Sequence, residues 1–216
     1  MRTRFKFCGL VRPADVDAAV SLGADLVGFV FYPKSPRAVD VETAAMLRAR
    51  LPSYVGAVGL FVNEVPARAA QIAYAARLDL MQFHGDETLA TCVDTARRAG
   101  LPWWRALRVG DGAGLLESLA GYREAEAVLL DADSKAYGGS GESFDWSCVP
   151  AGHDRPIVLA GGLAPETVGE GIERLGPMAV DVSSGIQGDD PRTKDAAKMA
   201  RFVAAVMQAD VRRAAR

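Results

Sequence analysis

The amino-acid sequence predicts an α/β protein, an eight-fold (β/α)8 TIM barrel built as a single domain over residues 1–216. Three observations carry this. β-Branched or aromatic runs alternate with Ala-, Arg- and Glu-bearing helical stretches eight times, without a break in composition. Apolar runs end in a potential acid, base or anion-binding group at Phe5-Lys6-Phe7-Cys8-Gly9, Val128-Leu129-Leu130-Asp131 and Val180-Asp181-Val182-Ser183-Ser184-Gly185. In a barrel of parallel strands, side chains at the carboxyl ends line the active site while apolar residues beneath them fill the core. Finally, 216 residues suit one domain with a sizeable core and leave little room for a second.

In chain order, strands fall near 5–8, 26–31, 55–61, 79–83, 103–108, 126–131, 156–160 and 178–182, with helices between them. Helix starts are marked by Pro13-Ala14-Asp15, Glu64-Val65-Pro66, Asp86-Glu87 and Pro165-Glu166. Proline presets the first helical dihedral, and acids complement the helix dipole. Ser134 to Ser143 is a Gly-rich loop around Gly138-Gly139-Ser140-Gly141, either a cover over the barrel mouth or an ordinary connection. Only Phe144 to Val149 remains for a short sixth helix before Pro150. The locally basic tail Arg212-Arg213-Ala214-Ala215-Arg216 reads as a solvated helix end.

A formal net charge of -2 and a pI near 5.8 give no electrostatic footprint for nucleic acid. Apolar stretches such as Leu26 to Tyr32 and Tyr54 to Val62 fall far short of the ~20 residues that cross a bilayer. Met1-Arg2-Thr3-Arg4 runs into a strand without a signal-peptide core. The expectation is a cytoplasmic protein without nucleic-acid or membrane partners. Cys8, Cys92 and Cys148 are odd in number and widely spaced, which suggests neither a disulfide framework nor a Cys-x-x-Cys metal site.

Strand alternation sorts the candidate residues, because successive side chains point to opposite faces. Phe5, Phe7, Met81, Phe83, Val128, Leu130, Val180 and Val182 suit the helix layer. Lys6, Cys8, Gln82, His84, Asp131, Asp181 and Ser183 therefore face the barrel axis, and Lys6, Cys8, His84, Asp131 and Asp181 converge on one mouth. Each has a plainer reading. A lone Cys is commonly a small core hydrophobe, and that reading suits Cys92 and Cys148 better than Cys8. Lys6, one inward position below Cys8, favours the thiolate by lowering its pKa. Asp131 and Asp181 also suit loop capping, and His84 before Gly85-Asp86-Glu87 suits helix-entry hydrogen bonding. His153 lies in a polar loop and reads as solvated. Ala160-Gly161-Gly162 and Ser183-Ser184-Gly185 follow the seventh and eighth strands, where barrel enzymes bind phosphate through backbone N–H groups, although Gly161-Gly162 also suits a tight turn. No Walker A or dinucleotide fingerprint is present.

Six ordered segments resemble the phosphoribosylanthranilate isomerase family of tryptophan biosynthesis. They are Lys6-Phe7-Cys8-Gly9-Leu10, the run from Gly28 to Arg37, Gly59-Leu60-Phe61-Val62-Asn63, Gln82-Phe83-His84-Gly85-Asp86-Glu87, Leu159-Ala160-Gly161-Gly162-Leu163 and Asp181-Val182-Ser183-Ser184-Gly185-Ile186. The resemblance implies an Amadori rearrangement of N-(5'-phosphoribosyl)anthranilate, with no cofactor and no metal. It implies Asp131 as acid, Cys8 as base and Arg37 on the anthranilate carboxylate, with Lys6, His84 and Asp181 also contacting the phosphosugar. Gly161, Gly162, Ser183, Ser184 and Gly185 would hold its phosphate. An acid at Asp131 calls for burial or a neighbouring anion such as Asp181 to favour its protonated form. Two departures stand out: Pro191-Arg192 where the family carries Pro-Gly, and Val11-Arg12 where it often carries a small polar pair, leaving Arg12 as an extra phosphate or dipole partner. The rivals are a histidine-pathway phosphoribosyl isomerase, disfavoured by Cys8 where an Asp would stand, and a non-catalytic phosphosugar-binding barrel, which needs neither Cys8 nor Asp131. All proposed groups come from one chain, compatible with a monomer or a homodimer.

Overall fold

The computed structural model describes residues 2–110, 114–132, 144–150 and 153–215. Its strands are β1 (Arg4–Cys8), β2 (Leu26–Val30), β3 (Gly56–Phe61), β4 (Leu80–Phe83), β5 (Trp103–Val109), β6 (Ala127–Ala132), β7 (Ile157–Leu159) and β8 (Ala179–Val182). Each pairs in parallel with the next, and β8 returns to β1 from Arg4↔Ala179 to Phe7↔Val182, closing the ring. The helices are α1 (Pro13–Ser21), α2 (Val41–Arg48), α3 (Pro66–Ala75), α4 (Leu89–Ala99), α5 (Leu115–Gly121), α6 (Val168–Leu175) and α7 (Ala196–Ala214). The predicted short sixth helix is a three-residue 3-10 turn, Trp146–Cys148, and the Gly-rich loop with Gly138 and Gly141 lies outside the described residues.

Alternation along the strands builds two apolar layers. Phe5, Phe7, Phe29, Phe61, Met81, Phe83, Val180 and Val182 point outward into one large cluster with the helices, where Phe202 of α7 meets Phe7 at 6.2 Å between ring centroids. Val128 and Leu130 pack against Leu115 and Leu119 of α5. Inside the ring, Val58, Leu80, Trp104, Ala127, Leu129, Val158 and Ala179 form a separate cluster that fills the barrel below the functional residues. A filled interior leaves chemistry only at the rim.

The opposite, amino-terminal face is tied by carboxylates. Asp25 Oδ2 accepts the Phe5 N–H at 3.0 Å, Asp79 Oδ2 accepts the Ala57 N–H at 2.7 Å, and Asp210 of α7 accepts both the N–H and the hydroxyl of Thr3 at 2.7 Å. Each supplies an acceptor to a buried backbone donor near a strand start. Helices α1 and α3 begin at their predicted prolines. Helix α4 instead begins at Leu89, where Thr88 Oγ1 accepts the Thr91 N–H at 3.2 Å, so Asp86 and Glu87 lie ahead of it. Helix α6 begins at Val168, beyond Pro165-Glu166.

Candidate active site

Strands β1, β4, β6 and β8 deliver the predicted side chains to a pocket of about 700 Å³ open to solvent at the carboxyl ends of the barrel. Cys8, Arg37, His84, Asp131, Asp181, Gly161, Gly162, Ser183 and Ser184 all line it. Lys6 does not reach the wall. It lies wholly buried beneath Cys8, with its Nζ 2.9 Å from Asp181 Oδ2, because Lys6 and Asp181 are register partners on adjacent strands and share the inward face. From there it supports Asp181 from below. Gly185 also sits behind the pocket wall. A Cβ there would lie 2.0 Å from the Leu163 carbonyl oxygen, so glycine permits the loop after β8 to close on the loop after β7.

His84 follows β4, its N–H donating to the Phe61 carbonyl at 2.9 Å. Its ring does not serve helix entry. Nε2 stands 3.0 Å from Asp131 Oδ2 and Nδ1 stands 2.9 Å from Gln82 Nε2. Asp131 Oδ1 accepts the Ala132 N–H at 2.9 Å, so the loop-capping role and the pocket role coexist in one carboxyl group. The partner of Asp131 is therefore His84. Asp181, which the sequence offered as a neighbouring anion, is engaged by Lys6, and its Oδ1 is buried at the pocket wall without a hydrogen-bond partner among the described residues.

Electrostatics correct one expectation about Cys8. Burial pushes the thiol above its ordinary pKa; Lys6 and Lys194 oppose this while Asp181 adds to it, and the net direction is up rather than down. The ammonium of Lys6 lowers the thiol, as its position predicts, but desolvation outweighs it. Burial also works against charge on Lys6, yet Asp181 and Cys8 together hold that ammonium above the ordinary lysine value. Cys92 fits the core reading, fully buried in α4 and pushed up to about 12 chiefly by desolvation.

Arg37 is buried, its Nη2 donating to Gln187 Oε1 at 2.6 Å while Nε has no partner among the described residues. Arg37 lines the pocket, where a guanidinium suits a carboxylate or phosphate oxygen. Gly161 and Gly162 adopt φ of 74° and 63°, left-handed values that favour glycine, and a Cβ on Gly161 would lie 2.5 Å from the Ala132 nitrogen. Among the described residues, no backbone carbonyl takes the N–H groups of Gly161, Gly162 or Ser184. That leaves these donors, all on pocket-lining residues, to serve an anion.

Two further residues join the site. Lys194, buried in the loop after β8, donates to the Ser183 carbonyl at 2.9 Å and lies 3.3 Å from its hydroxyl, which in turn donates to the Cys8 carbonyl at 3.0 Å. Burial, with Arg37 next in effect, lowers Lys194 to about 8. Gln82 was placed inward by alternation without a role. The departures from the family pattern also find places: Arg192 Nη1 donates to the Pro36 carbonyl at 2.9 Å, bracing the loop that carries Arg37, and Arg12 pairs with Asp15 at the start of α1. Among the described residues, no group of three or more His, Cys, Asp or Glu side chains is placed to hold a metal ion.

A closed parallel barrel whose mouth joins a carboxyl–imidazole pair, a thiol and two glycine-bearing loops belongs to the class of barrels that carry acid–base groups at the carboxyl ends of their strands. Comparison with known proteins narrows the class. The family model described as N-(5'phosphoribosyl)anthranilate (PRA) isomerase matches residues 5–205. The N-(5'-phosphoribosyl)anthranilate isomerase of Methylibium petroleiphilum is 51% identical over 215 residues, covering 100% of this chain and 99% of the relative. The crystal structure of the Thermotoga maritima phosphoribosyl anthranilate isomerase superposes with a TM-score of 0.88 at 39% identity, covering 95% of this chain and 99% of that one. A phosphoribosyl anthranilate isomerase in complex with reduced 1-(o-carboxyphenylamino)-1-deoxyribulose 5-phosphate gives 0.84 at 36% identity, with coverage of 95% and 99%. The chain belongs to the N-(5'-phosphoribosyl)anthranilate isomerase family.

Proposed function

We infer that Asp131 and Cys8 perform the proton transfers of this isomerase, which converts N-(5'-phosphoribosyl)anthranilate to 1-(2-carboxyphenylamino)-1-deoxyribulose 5-phosphate in tryptophan biosynthesis. The observation that supports these roles is the presentation of one carboxyl group and one thiol to a single pocket from β6 and β1. Asp131 gives its proton to the furanose ring oxygen as the C1–O bond breaks and the anilino nitrogen lone pair forms a C1=N bond. Cys8, as thiolate, takes the proton from C2, and that electron pair forms the C1=C2 bond of an enolamine. Uptake of a proton at C1 and loss of one from the 2-hydroxyl give the ketone, so the protons balance without a redox partner.

The remaining groups hold the substrate. Arg37 takes the anthranilate carboxylate through its unpartnered Nε, and the loops of Gly161-Gly162 and Ser183-Ser184-Gly185 take the phosphate. Asp181 Oδ1, buried without a partner among the described residues, is an acceptor for a sugar hydroxyl. Lys6 holds Asp181 in place and favours the thiolate of Cys8. One chain supplies every group, so a monomer suffices, and a homodimer would carry two complete sites. We place the enzyme in the cytoplasm, where its doubly anionic phosphosugar is confined by the cost of taking charge through a membrane. No helix among the described residues is long and apolar enough to cross one.

The test is the loss of anthranilate-type fluorescence when substrate is generated in situ. Cys8→Ala and Asp131→Asn should each lower kcat by about 10²–10⁴-fold, the usual contribution of a positioned acid or base, while binding of the carbonyl-reduced product is retained. Turnover surviving Cys8→Ala would keep the reaction and overturn the assigned base.

A further inference from the structure

We propose that Gln82 is a positioning residue that keeps the Asp131 proton available to substrate by holding His84 in its Nε2–H form. The proposal rests on Asp131 being the acid. Gln82 lies on β4, fully buried, with its Nε2 2.9 Å from His84 Nδ1, and His84 Nε2 lies 3.0 Å from Asp131 Oδ2. The three side chains form one line from the barrel interior to the pocket.

The orientation of the carboxamide sets the polarity of that line. The amide nitrogen faces the imidazole, and the Gln82 carbonyl oxygen is without a partner among the described residues. A Gln82 N–H directed at Nδ1 occupies that nitrogen's lone pair, so the proton of the neutral ring sits on Nε2. His84 then donates to Asp131.

The consequence falls on the acid. An Nε2 that already carries hydrogen cannot accept a proton from Asp131, so the hydroxyl of protonated Asp131 turns to the pocket, where the substrate ring oxygen lies. Once that proton is delivered, the same Nε2–H and the Ala132 N–H both donate to the carboxylate left behind. The opposite tautomer would present Nε2 as an acceptor and tie up the Asp131 hydroxyl in a bond to His84. Gln82 touches neither reacting atom in this scheme. It acts through the ring it polarises.

The experiment reads the tautomer directly. The chain has two histidines, and His153 Nδ1 lies 3.0 Å from the Arg155 carbonyl oxygen, which can only accept, so His153 should be the Nδ1–H form. Long-range ¹H–¹⁵N correlation spectra of labelled enzyme at neutral pH should show opposite patterns for the two rings, assigned with His153→Gln, and His84 should carry hydrogen on Nε2. Gln82→Glu keeps the shape and, when ionised, offers only acceptors. It should move the His84 hydrogen to Nδ1 and lower kcat by roughly 10- to 100-fold, less than loss of the acid itself, with affinity for the carbonyl-reduced product little changed. An Nδ1–H His84 in the unsubstituted protein overturns the proposal, whether or not the variant folds. So does a Gln82→Glu enzyme whose tautomer stays put, or one whose tautomer swaps while kcat holds. Gln82→Met, which removes the donor without adding charge, should reproduce the kcat loss. Absence of turnover in the unsubstituted protein would instead strike at the assigned reaction and leave the tautomer result standing.

Discussion

At Gly28 a single methyl group decides whether the thiol and its ammonium neighbour can share the barrel interior. Gly28 is the register partner of Cys8, and a Cβ there would lie 2.9 Å from Cys8 Sγ and 3.0 Å from Lys6 Nζ. Gly28→Ala should therefore cost about 1–3 kcal/mol by overpacking and lower kcat, read from denaturant midpoints and turnover. Lys194 supplies a second prediction at this scale. Burial holds it near 8, so its ammonium is present at neutral pH and lost as pH rises through about 8. Affinity for the carbonyl-reduced product should weaken across that step, and Lys194→Met should remove the step while weakening binding severalfold below it. Stability moves the other way: between about 8 and the ~10.4 of an unfolded lysine, the unfolded chain holds more protons, so this residue's contribution favours folding increasingly as pH rises. Alternation alone made Lys6, Cys8, His84, Asp131 and Asp181 legible, because parity along a strand is a local property. Lys194 was not legible, since its place under Ser183 depends on a bridge between Gln187 and Lys194 that folds the loop back. The upward direction at Cys8 was also hidden: a neighbouring lysine is visible in sequence, whereas complete desolvation is a property of the closed barrel.

At the scale of elements, the turn between β4 and α4 is held by a carboxylate, Glu87, that local reading assigned to helix entry. Glu87 accepts the N–H groups of Asn63 and Gly85 at 2.6 and 2.9 Å and meets Arg105 Nη1 of β5 at 2.7 Å, while Arg105 Nη2 donates to the Gly85 carbonyl at 2.9 Å. The carboxylate that would suit a helix N-terminus is spent across two neighbouring loops, leaving Thr88 to cap α4. Its partner lies 18 residues away on the next strand, beyond the reach of helix-start rules. Both side chains are buried, so Glu87→Ala should cost about 3–5 kcal/mol by leaving the Arg105 charge uncompensated. The double replacement Glu87→Leu with Arg105→Met should be milder than either single loss, a pattern that chemical denaturation would resolve and that a merely additive pair would contradict. Because Gly85 follows His84, the singles should also lower kcat through misplacement of the imidazole.

For the molecule as a whole, the two ends of the barrel divide stability from chemistry. Among the described residues, the pocket-lining Arg37 and Asp181 carry buried unpartnered atoms, groups left poised for a ligand at some cost to the empty fold. At the amino end, Asp79 and Asp210 instead give acceptors to the Ala57 and Thr3 N–H groups, and neither residue borders the pocket. Asp79→Ala and Asp210→Ala should each remove about 1–3 kcal/mol, because a buried donor loses its acceptor, with kcat unchanged. Cys8→Ala and Asp131→Asn should show the reverse pattern. Ring closure adds a sharper expectation for the double variant. Asp79 ties the start of β3 and Asp210 ties β1 to the last helix, so they share no partner, and independent sites in one cooperative unit should add within about 0.5 kcal/mol. A parallel ring with β8 on β1 has no edge along which half the barrel can detach without breaking two ladders. If the halves nevertheless unfold separately, the double variant will show two transitions by fluorescence and circular dichroism in place of one shifted midpoint, and closure would then guide the position of the site without coupling its stability.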